Sequence, residues 1–206
     1  MLAAMHNHNH STLDYQRRFG GVARLYGTQG AQHIAQAHVV VVGIGGVGSW
    51  AAEALARTGV GQLTLIDMDH LAESNINRQI HAQDATLGQA KITAMQERIA
   101  AYNPVCQVQG IDDFVMPENW PAILPAGVNA VIDACDNKQA KLAMANWARS
   151  HRVPFIIVGA AGGKQQAHLV EVDDLSQVTH DPLLAQLRYT LRKHHQAPRE
   201  GKKMGI

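Results

Sequence analysis

The chain has 206 residues and carries 18 Lys and Arg against 17 Asp and Glu, which gives a formal net charge of +1. This near balance excludes the strongly basic composition of a dedicated nucleic-acid binder, and no apolar run approaches the length of a membrane span. The length suits one α/β domain with a substantial core, from residue 14 to residue 194.

The N-terminal segment, residues 1–13, alternates His and Asn at positions 6–10. This alternation is typical of an expression tag or a metal-binding tail. We therefore predict a disordered tail or tag here and exclude it from the functional site.

A β-branched strand at 38–42 leads into a glycine-rich loop and then into a helical pattern at 49–58. The loop follows the Gly-x-Gly-x-x-Gly pattern with one extra glycine. Such a loop allows a tight turn and a close approach of the backbone to phosphate at a helix N-terminus. The alternative is a tight turn that binds nothing, but the context of strand, loop and helix favours a nucleotide. The loop glycines are Gly43, Gly45, Gly46 and Gly48.

The second predicted strand, at 62–67, ends in Asp67, which follows Gly48 by 19 residues. A carboxylate at this place usually accepts hydrogen bonds from ribose hydroxyls. Up to this residue, a nicotinamide dinucleotide fits as well as ATP.

A polar cluster after the second strand favours ATP over a nicotinamide dinucleotide. A triphosphate needs several cations and amide donors, and Lys91 lies near the start of the next helical pattern, at 89–102. Taken singly, Arg78 and Lys91 are more often solvated surface charges. Together with the glycine loop they predict phosphate contacts. The cluster comprises Asp69, Asn75, Arg78 and Gln79.

A further strand is predicted at 130–133, followed by the sequence Ala-Cys-Asp-Asn. Asp136 is the candidate Mg²⁺ ligand, since Mg²⁺ takes one or two carboxylates beside phosphate oxygens. Its alternative role is the N-cap of a helix at 137–151, and one residue could serve both roles. Asn137 joins the nucleotide-binding candidates, and Asp133 is expected to be structural.

Alternating strands and helices predict a doubly wound, mostly parallel, Rossmann-like sheet. Two strands joined by Gly162 and Gly163 predict a hairpin and therefore an antiparallel addition. The other predicted strands lie at 106–111, 155–159 and 166–172, and the last helix lies at 181–194.

The C-terminal region concentrates basic charge, with a single acid, Glu200, between residues 188 and 203. Such a segment can contact nucleic-acid phosphates. An equally good interpretation is a solvated helix end with a basic, flexible tail at 195–206. The tRNA-binding candidates are Arg188, Arg192, Lys193, Arg199, Lys202 and Lys203.

The two cysteines, Cys106 and Cys135, belong to no Cys-x-x-Cys pair, so a four-cysteine zinc site is excluded within this sequence. Together with the absence of a signal peptide they favour a reducing, cytoplasmic setting. Both an incomplete C-terminus and membrane association through sequence beyond residue 206 stay open.

Together the motifs GIGGVG, IDMDHLAESNINRQ, GQAK and DACDN resemble the ThiF/MoeB superfamily, whose adenylating fold is shared with ubiquitin-activating enzymes. The resemblance covers about residues 15–175. It implies Asp67 on the ribose, Asp136 on Mg²⁺, and a homodimer that adenylates a carboxylate. It also implies phosphate contacts by Asn75, Arg78 and Lys91, and an arginine supplied in trans by Arg18 or Arg24.

Within that superfamily, RFGGVARLYG, SNINRQIHA and VGAAGG resemble the branch of tRNA threonylcarbamoyladenosine dehydratases. This resemblance implies ATP-dependent cyclisation of the threonylcarbamoyl group on a tRNA adenosine, with release of AMP and pyrophosphate. ATP and Mg²⁺ are then the cofactors, and a monovalent cation stays open. tRNA is the expected partner, and sulfur-relay proteins are suggested by family resemblance alone.

Two other functions stay open at this point. One is a sulfur-carrier-protein adenylyltransferase of the ThiF/MoeB type, which would exchange pyrophosphate with a small protein ending in Gly-Gly and need no tRNA. The other is an NAD-binding redox protein, which would bind NAD tightly and not ATP.

Overall fold

The computed structural model describes residues 14–199 and 201–206, so the predicted tail at 1–13 lies outside the described residues. Its centre is one sheet of five strands, all paired in parallel, in the order β3-β2-β1-β4-β5. The strands are β1 (His38–Val42), β2 (Gln62–Ile66), β3 (Gln107–Ile111), β4 (Ala130–Asp133) and β5 (Phe155–Ile157).

The described residues form five α-helices, of which one precedes the first strand and four follow it in the chain. Four of them, and all five strands, match the predicted bounds to within two residues, whereas the first helix was not predicted. Asp181 caps the last helix through a bond from the Leu184 N–H (3.0 Å), with Pro182 at its first position. The helices are α1 (Tyr15–Gln36), α2 (Gly48–Arg57), α3 (Lys91–Tyr102), α4 (Lys138–His151) and α5 (Pro182–His194).

The sheet is covered on both faces because successive side chains of a strand point to opposite sides. Val39 and Val41 of β1 pack into one core with residues of α2 and α3. Val40 and Val42 pack into a second core, with Met144 of α4 at its centre. Every residue of β1 is buried, as its run of four valines predicts, and His38 at its start is buried with them.

The strand order reverses direction between β1 and β4. The chain runs outward from β1 to β2 and β3, then crosses to β4 on the other side of β1. In an open parallel sheet, ligands bind at such a point, beyond the carboxyl ends of the strands. The glycine loop at 43–48 and the connection at 134–137 therefore lie side by side at this edge.

Helix α1 folds back on itself at Gly27, which has the non-helical angles φ 75° and ψ 166°. At its start, the Tyr15 hydroxyl donates to the Gly59 carbonyl (3.0 Å). At its end, a Cβ built on Gly61 would lie 1.9 Å from the Ala35 carbonyl oxygen. A straight helix of this length would span roughly 33 Å. Both ends of α1 therefore lie at the amino end of the sheet, away from the glycine loop.

The predicted antiparallel addition is wrong for the described residues. Residues 166–172 form no strand, and only a short 3₁₀ turn occurs at Ala167–Leu169. Val170 and Val172 are 79% and 84% exposed, so neither side chain has a neighbouring surface on which to pack. The alternating sequence is compatible with a strand, but a strand needs a partner edge to satisfy its backbone groups.

The C-terminal segment, predicted as a flexible tail, is anchored in this structure through residues 201–206. The Asp174 carboxylate accepts hydrogen bonds from the N–H groups of Met204 (2.8 Å) and Gly205 (2.7 Å). Met204 is buried in a third core, which also contains Leu187 and Leu191 of α5.

Candidate functional site

The glycine loop is held in place by two close backbone approaches. Gly43 has φ +80°, and a Cβ there would lie 2.8 Å from the Cα of Cys135. A Cβ on Gly48 would lie 1.8 Å from the Gly43 carbonyl oxygen. These two positions therefore require glycine for packing, and the packing joins the loop to the connection after β4.

The other two loop glycines leave the outer side of the loop open. A Cβ on Gly45 would meet no atom within 4 Å, and one on Gly46 would lie 3.3 Å from Cδ of Arg78. Since neither glycine is needed to avoid the fold's own backbone, their lack of a side chain leaves space for a ligand. The aliphatic part of Arg78 already lies across this space.

Arg78 is exposed and held by local contacts. Its guanidinium donates to the Ser74 carbonyl and to the Asn77 side chain (3.0 Å). The Trp50 indole of α2 donates to the Arg78 carbonyl (2.9 Å). An arginine is thus fixed beside the glycine loop with its charge facing solvent, as the phosphate prediction requires.

Asp67 directly follows β2 and is 7% exposed. It accepts from the N–H of Ile44 in the glycine loop (2.7 Å) and from the N–H of Asp69 (2.9 Å). The ribose candidate therefore also holds the loop to the end of β2.

Lys91 is a buried cation rather than the solvated surface charge that a single lysine more often is. Its ammonium donates to the Asp69 carboxylate (2.7 Å) and lies 3.8 Å from the Asp67 carboxylate. The Lys91 side chain is 8% exposed, whereas that of Asp69 is 55% exposed. The sequence-predicted lysine and acids thus form one charged group beside the loop, with one side open to a ligand.

Asn75 and Gln79 support the same segment. The Asn75 side chain accepts from the Ala72 N–H (3.0 Å), and its carbonyl accepts from the N–H of Arg78 and of Gln79. Gln79 is 5% exposed, and its Oε1 has no hydrogen-bond partner in the described part of the chain. Asn75 therefore shapes the turn that presents Arg78.

The structure separates the two roles considered for Asp136. Asn137 is the N-cap of α4, since its side chain accepts from the N–H of Gln139 (2.9 Å) and of Ala140 (3.1 Å). The capping alternative for Asp136 is therefore wrong. Asp136 is exposed on the connection that packs against Gly43, where its carboxylate can serve a ligand.

One exposed carboxylate beside a phosphate loop fits Mg²⁺, which commonly keeps several waters and phosphate oxygens as its other ligands. Among residues 14–199 and 201–206, no three His, Cys, Asp or Glu side chains form a group that could hold a metal. A metal held by protein groups alone is therefore not supported in this region.

Sequence reasoning missed one buried residue near the site, Lys141. Its ammonium donates to Asp133 (3.1 Å) and to the Val158 carbonyl (2.9 Å), and both charged side chains are at most 1% exposed. The signal was available, because Lys141 lies within an apolar stripe of α4 that includes Ala140 and Met144. Burial raises the pKa of Asp133 and outweighs the lowering effect of the Lys141 ammonium.

Cys135 also contacts Asp133, with its thiol donating over 3.1 Å. Burial and the neighbouring carboxylate raise the pKa of this thiol, so it stays protonated. Burial alone raises the pKa of Cys106 to about 11. Neither free thiol therefore has the lowered pKa that is typical of a reactive cysteine.

The two arginines considered for a trans contribution lie in α1. Arg18 donates to the carbonyl of Tyr102, at the end of α3 opposite to Lys91. Arg24 lies further along α1, before the bend at Gly27, and is exposed. Arg18 therefore lies at the far end of the sheet from the glycine loop of its own chain.

The basic C-terminal candidates fall into two groups. Arg188 donates to the carbonyls of Leu175 (3.0 Å) and Val178 (2.6 Å), and Arg192 donates to that of Pro198 (3.2 Å). These two hold chain turns. The exposed members of the set are Lys193, Arg199, Lys202 and Lys203.

The chain matches the ThiF family model over residues 15–199. It is 47% identical to tRNA threonylcarbamoyladenosine dehydratase of Escherichia coli, over 93% of this chain and 72% of the relative. It is 46% identical to the Haemophilus influenzae protein of the same name, over 88% of this chain and 70% of the relative.

Solved structures give the same result. The E. coli dehydratase TcdA in complex with ATP superposes with a TM-score of 0.90 at 45% identity, covering 95% of this chain and 81% of that one. The AMP complex of the same protein superposes with a TM-score of 0.88. Within the described residues no helix is long and apolar enough to cross a membrane. From the sequence match, the parallel sheet and the nucleotide edge together, this chain belongs to the ThiF family.

Proposed function

We propose that this protein catalyses the ATP-dependent cyclisation of N6-threonylcarbamoyladenosine in tRNA through adenylation of its carboxylate. The carboxylate oxygen attacks the α-phosphorus of ATP, and pyrophosphate leaves. A nucleophile within the same threonylcarbamoyl group then closes on the activated carbonyl, and AMP leaves with one carboxylate oxygen. One water equivalent is thereby lost from the nucleoside, and ATP is the only co-reactant.

The observation that carries this proposal is the gathering of loop, cations and acids at one edge of the sheet. The open side of Gly45 and Gly46 lies under Arg78, and Lys91 lies between two acids beside the same loop. Such an edge suits a nucleotide with several phosphates. The relatives whose structures hold ATP and AMP support ATP over NAD.

The chain's own groups act electrostatically. Arg78 and Lys91 offset the charge that grows on the phosphates during attack, and they need little reorganisation because contacts already hold them. Asp67 accepts from the ribose while it holds Ile44 of the loop. Asn75 and Gln79 fix the turn that bears Arg78, and the N–H groups at the start of α2 face the phosphates.

Asp136 and Asn137 lie on the connection that packs against Gly43 of the glycine loop. Asp136 would hold Mg²⁺ together with phosphate oxygens, and the ion would then offset phosphate charge. A monovalent cation remains a separate proposal.

We propose a homodimer in which an arginine of α1 completes the partner's nucleotide site. The support is that Arg18 lies at the far end of the sheet from its own glycine loop. Arg24 is the second candidate, and the two can be separated by mixing variants.

The exposed basic residues Lys193, Arg199, Lys202 and Lys203 are our candidates for tRNA phosphate contacts. We place the reaction in the cytoplasm, in keeping with two free thiols and a tRNA substrate. Sulfur-relay proteins remain proposed partners on family resemblance alone.

The test is ATP consumption with and without tRNA that carries threonylcarbamoyladenosine, with AMP, pyrophosphate and nucleoside mass as readouts. We expect tRNA-dependent AMP and a nucleoside lighter by one water. ATP binding without tRNA-dependent AMP formation would contradict the proposal that tRNA is the substrate, but it would still support the proposed nucleotide site. Tight NAD binding without ATP binding would contradict both.

A second candidate is adenylation of a sulfur-carrier protein. It is supported by 34% identity to the molybdopterin-synthase adenylyltransferase of Salmonella typhimurium, over 72% of this chain and 58% of that protein. It predicts pyrophosphate exchange with a small protein ending in Gly-Gly and no requirement for tRNA.

A further inference from the structure

A buried ion pair at the end of β4 has no role in the reaction as described so far. Asp133 and Lys141 are 0% and 1% exposed, and their charged groups lie 3.1 Å apart. Asp133 is the last residue of the strand that borders the nucleotide crevice, and Lys141 lies near the start of α4.

Stability alone explains this pair poorly. A buried ion pair is often no more stabilising than two apolar side chains of similar volume, because both charges lose their hydration. One oxygen of Asp133, Oδ2, has no hydrogen-bond partner in the described chain, so its desolvation is not fully compensated. A cation near a helix N-terminus is also opposed by the helix dipole. The pair therefore calls for a reason other than stability.

The contacts of the pair converge on the chain that carries Asp136. Oδ1 of Asp133 accepts from the N–H of Cys135 (3.2 Å) as well as from Lys141. Lys141 in turn donates to the Val158 carbonyl at the end of β5 (2.9 Å). The ammonium thus ties two strand ends to the first residues of the 134–137 connection.

That connection is also the wall against which the glycine loop packs. The Cα and N of Cys135 would lie 2.8 Å from a Cβ on Gly43. A shift of Cys135 would therefore move both Asp136 and the packing partner of the phosphate loop.

We propose that Lys141 is a positioning residue for the adenylation step. Acting through Asp133, it fixes the 134–137 connection, so that Asp136 faces the phosphates held by the glycine loop. Lys141 itself touches no substrate. The proposal rests on the proposed function for its kinetic consequence, but its structural consequence can be measured without tRNA.

The test compares the paired variant Asp133→Asn/Lys141→Met with Lys138→Met in the full chain. The paired variant replaces two buried charges by neutral groups of similar size and so avoids an unpaired buried carboxylate. Lys138 is the matched control, because it lies on the same turn but is exposed, and within the described chain its ammonium donates to Gln186 alone (3.2 Å).

Four readouts are taken: thermal unfolding, amide exchange of residues 134–137, ATP binding by calorimetry with and without Mg²⁺, and the kcat of tRNA-dependent AMP formation. We expect the paired variant to unfold near the wild-type temperature, to exchange these amides at least tenfold faster, and to lose most of the affinity that Mg²⁺ adds. Its kcat for tRNA-dependent AMP formation should fall at least tenfold, and Lys138→Met should match the wild type.

A merely structural pair gives another pattern. If the paired variant keeps wild-type exchange, Mg²⁺ response and kcat, Lys141 is no positioning residue and the proposal is overturned. If the wild type forms no tRNA-dependent AMP, the proposed function fails, while the exchange and Mg²⁺ readouts still decide the role of Lys141.

Discussion

Two alanine substitutions in the glycine loop separate its packing role from its binding role. Gly45→Ala adds a methyl group where no atom lies within 4 Å and where φ is outside the left-handed region. The free energy of unfolding should therefore change by less than about 1 kcal/mol. The same methyl group narrows the space for phosphate, so ATP affinity should fall at least tenfold, or about 1.4 kcal/mol.

Gly48→Ala should behave in the opposite manner. Its Cβ would lie 1.8 Å from the Gly43 carbonyl oxygen, a backbone atom that moves only if the loop moves. Forcing extra volume into a packed site costs about 1–3 kcal/mol. In a chain of this size, the unfolding midpoint should then fall by roughly 2–4 °C for each kcal/mol.

The assay is thermal unfolding without ligand, followed by calorimetric titration with ATP. Gly162→Ala is the control, because its Cβ also meets nothing within 4 Å but lies far along the chain in an exposed segment. Wild-type ATP affinity in Gly45→Ala would refute the assignment of phosphate to the open side of the loop. A wild-type midpoint in Gly48→Ala would refute the packing argument.

Three further predictions concern single side chains. Arg78→Ala should lower kcat roughly 10²-fold and keep the unfolding free energy within about 0.5 kcal/mol of the wild type, because Arg78 is exposed. Lys91→Met should also lower the unfolding free energy by about 2 kcal/mol, because it leaves Asp67 without its cation. Equal midpoints of the two variants in chemical denaturation would contradict this difference. Burial opposes ionisation of Glu53, but hydrogen bonds from Arg98, Arg57 and Tyr102 outweigh it and lower the pKa of Glu53. The folding stability that this carboxylate contributes is therefore present above pH 4.5 and is lost as the pH falls through the lowered pKa. Glu53→Gln should therefore destabilise by about 1–2 kcal/mol at pH 7 and progressively less in acid, and a constant difference across that pH series would argue against it. Burial, together with the charges of Lys91 and Arg98, lowers the pKa of His81 from 6.5 to about 4. The unfolded chain therefore binds the proton first, and stability falls as the pH drops from 6.5 to 4. His81→Leu should flatten this fall in a pH series of unfolding midpoints, and an unchanged slope would count against the assignment.

Much of the nucleotide edge was predictable because its signals are local in sequence. The β-branched residues at 38–42 indicate a buried strand, and the glycines after them indicate a tight turn. Strand periodicity and helix periodicity extend over a few residues, so the bounds of four helices and five strands followed from them. The motif spacing also predicted that Asp67, Arg78 and Lys91 contact one nucleotide.

Contacts between distant residues were decided by the tertiary structure. Lys91 is buried between Asp67 and Asp69, because the start of α3 is hydrogen bonded to the chain after β2 (Lys91 N to Asp69 O, 3.0 Å). The cap of α4 fell to Asn137 rather than Asp136 because the helix begins one residue later than predicted. Neither outcome could be predicted from residue type, because a lysine can be buried or exposed, and both Asp and Asn are good N-caps.

The sequence by itself determined the parallel α/β fold and predicted a phosphate-binding edge, since both depend on patterns among neighbours along the chain. Only the tertiary structure decided that residues 166–172 form no strand, that α1 folds back at Gly27, and that Lys141 neutralises Asp133 beneath the site. The physical reason is the same in each case. A strand needs the edge of another strand to pair with, a helix needs a surface to pack on, and a buried charge needs a counter-charge. The packing of residues far apart in sequence decides whether each of these partners is present.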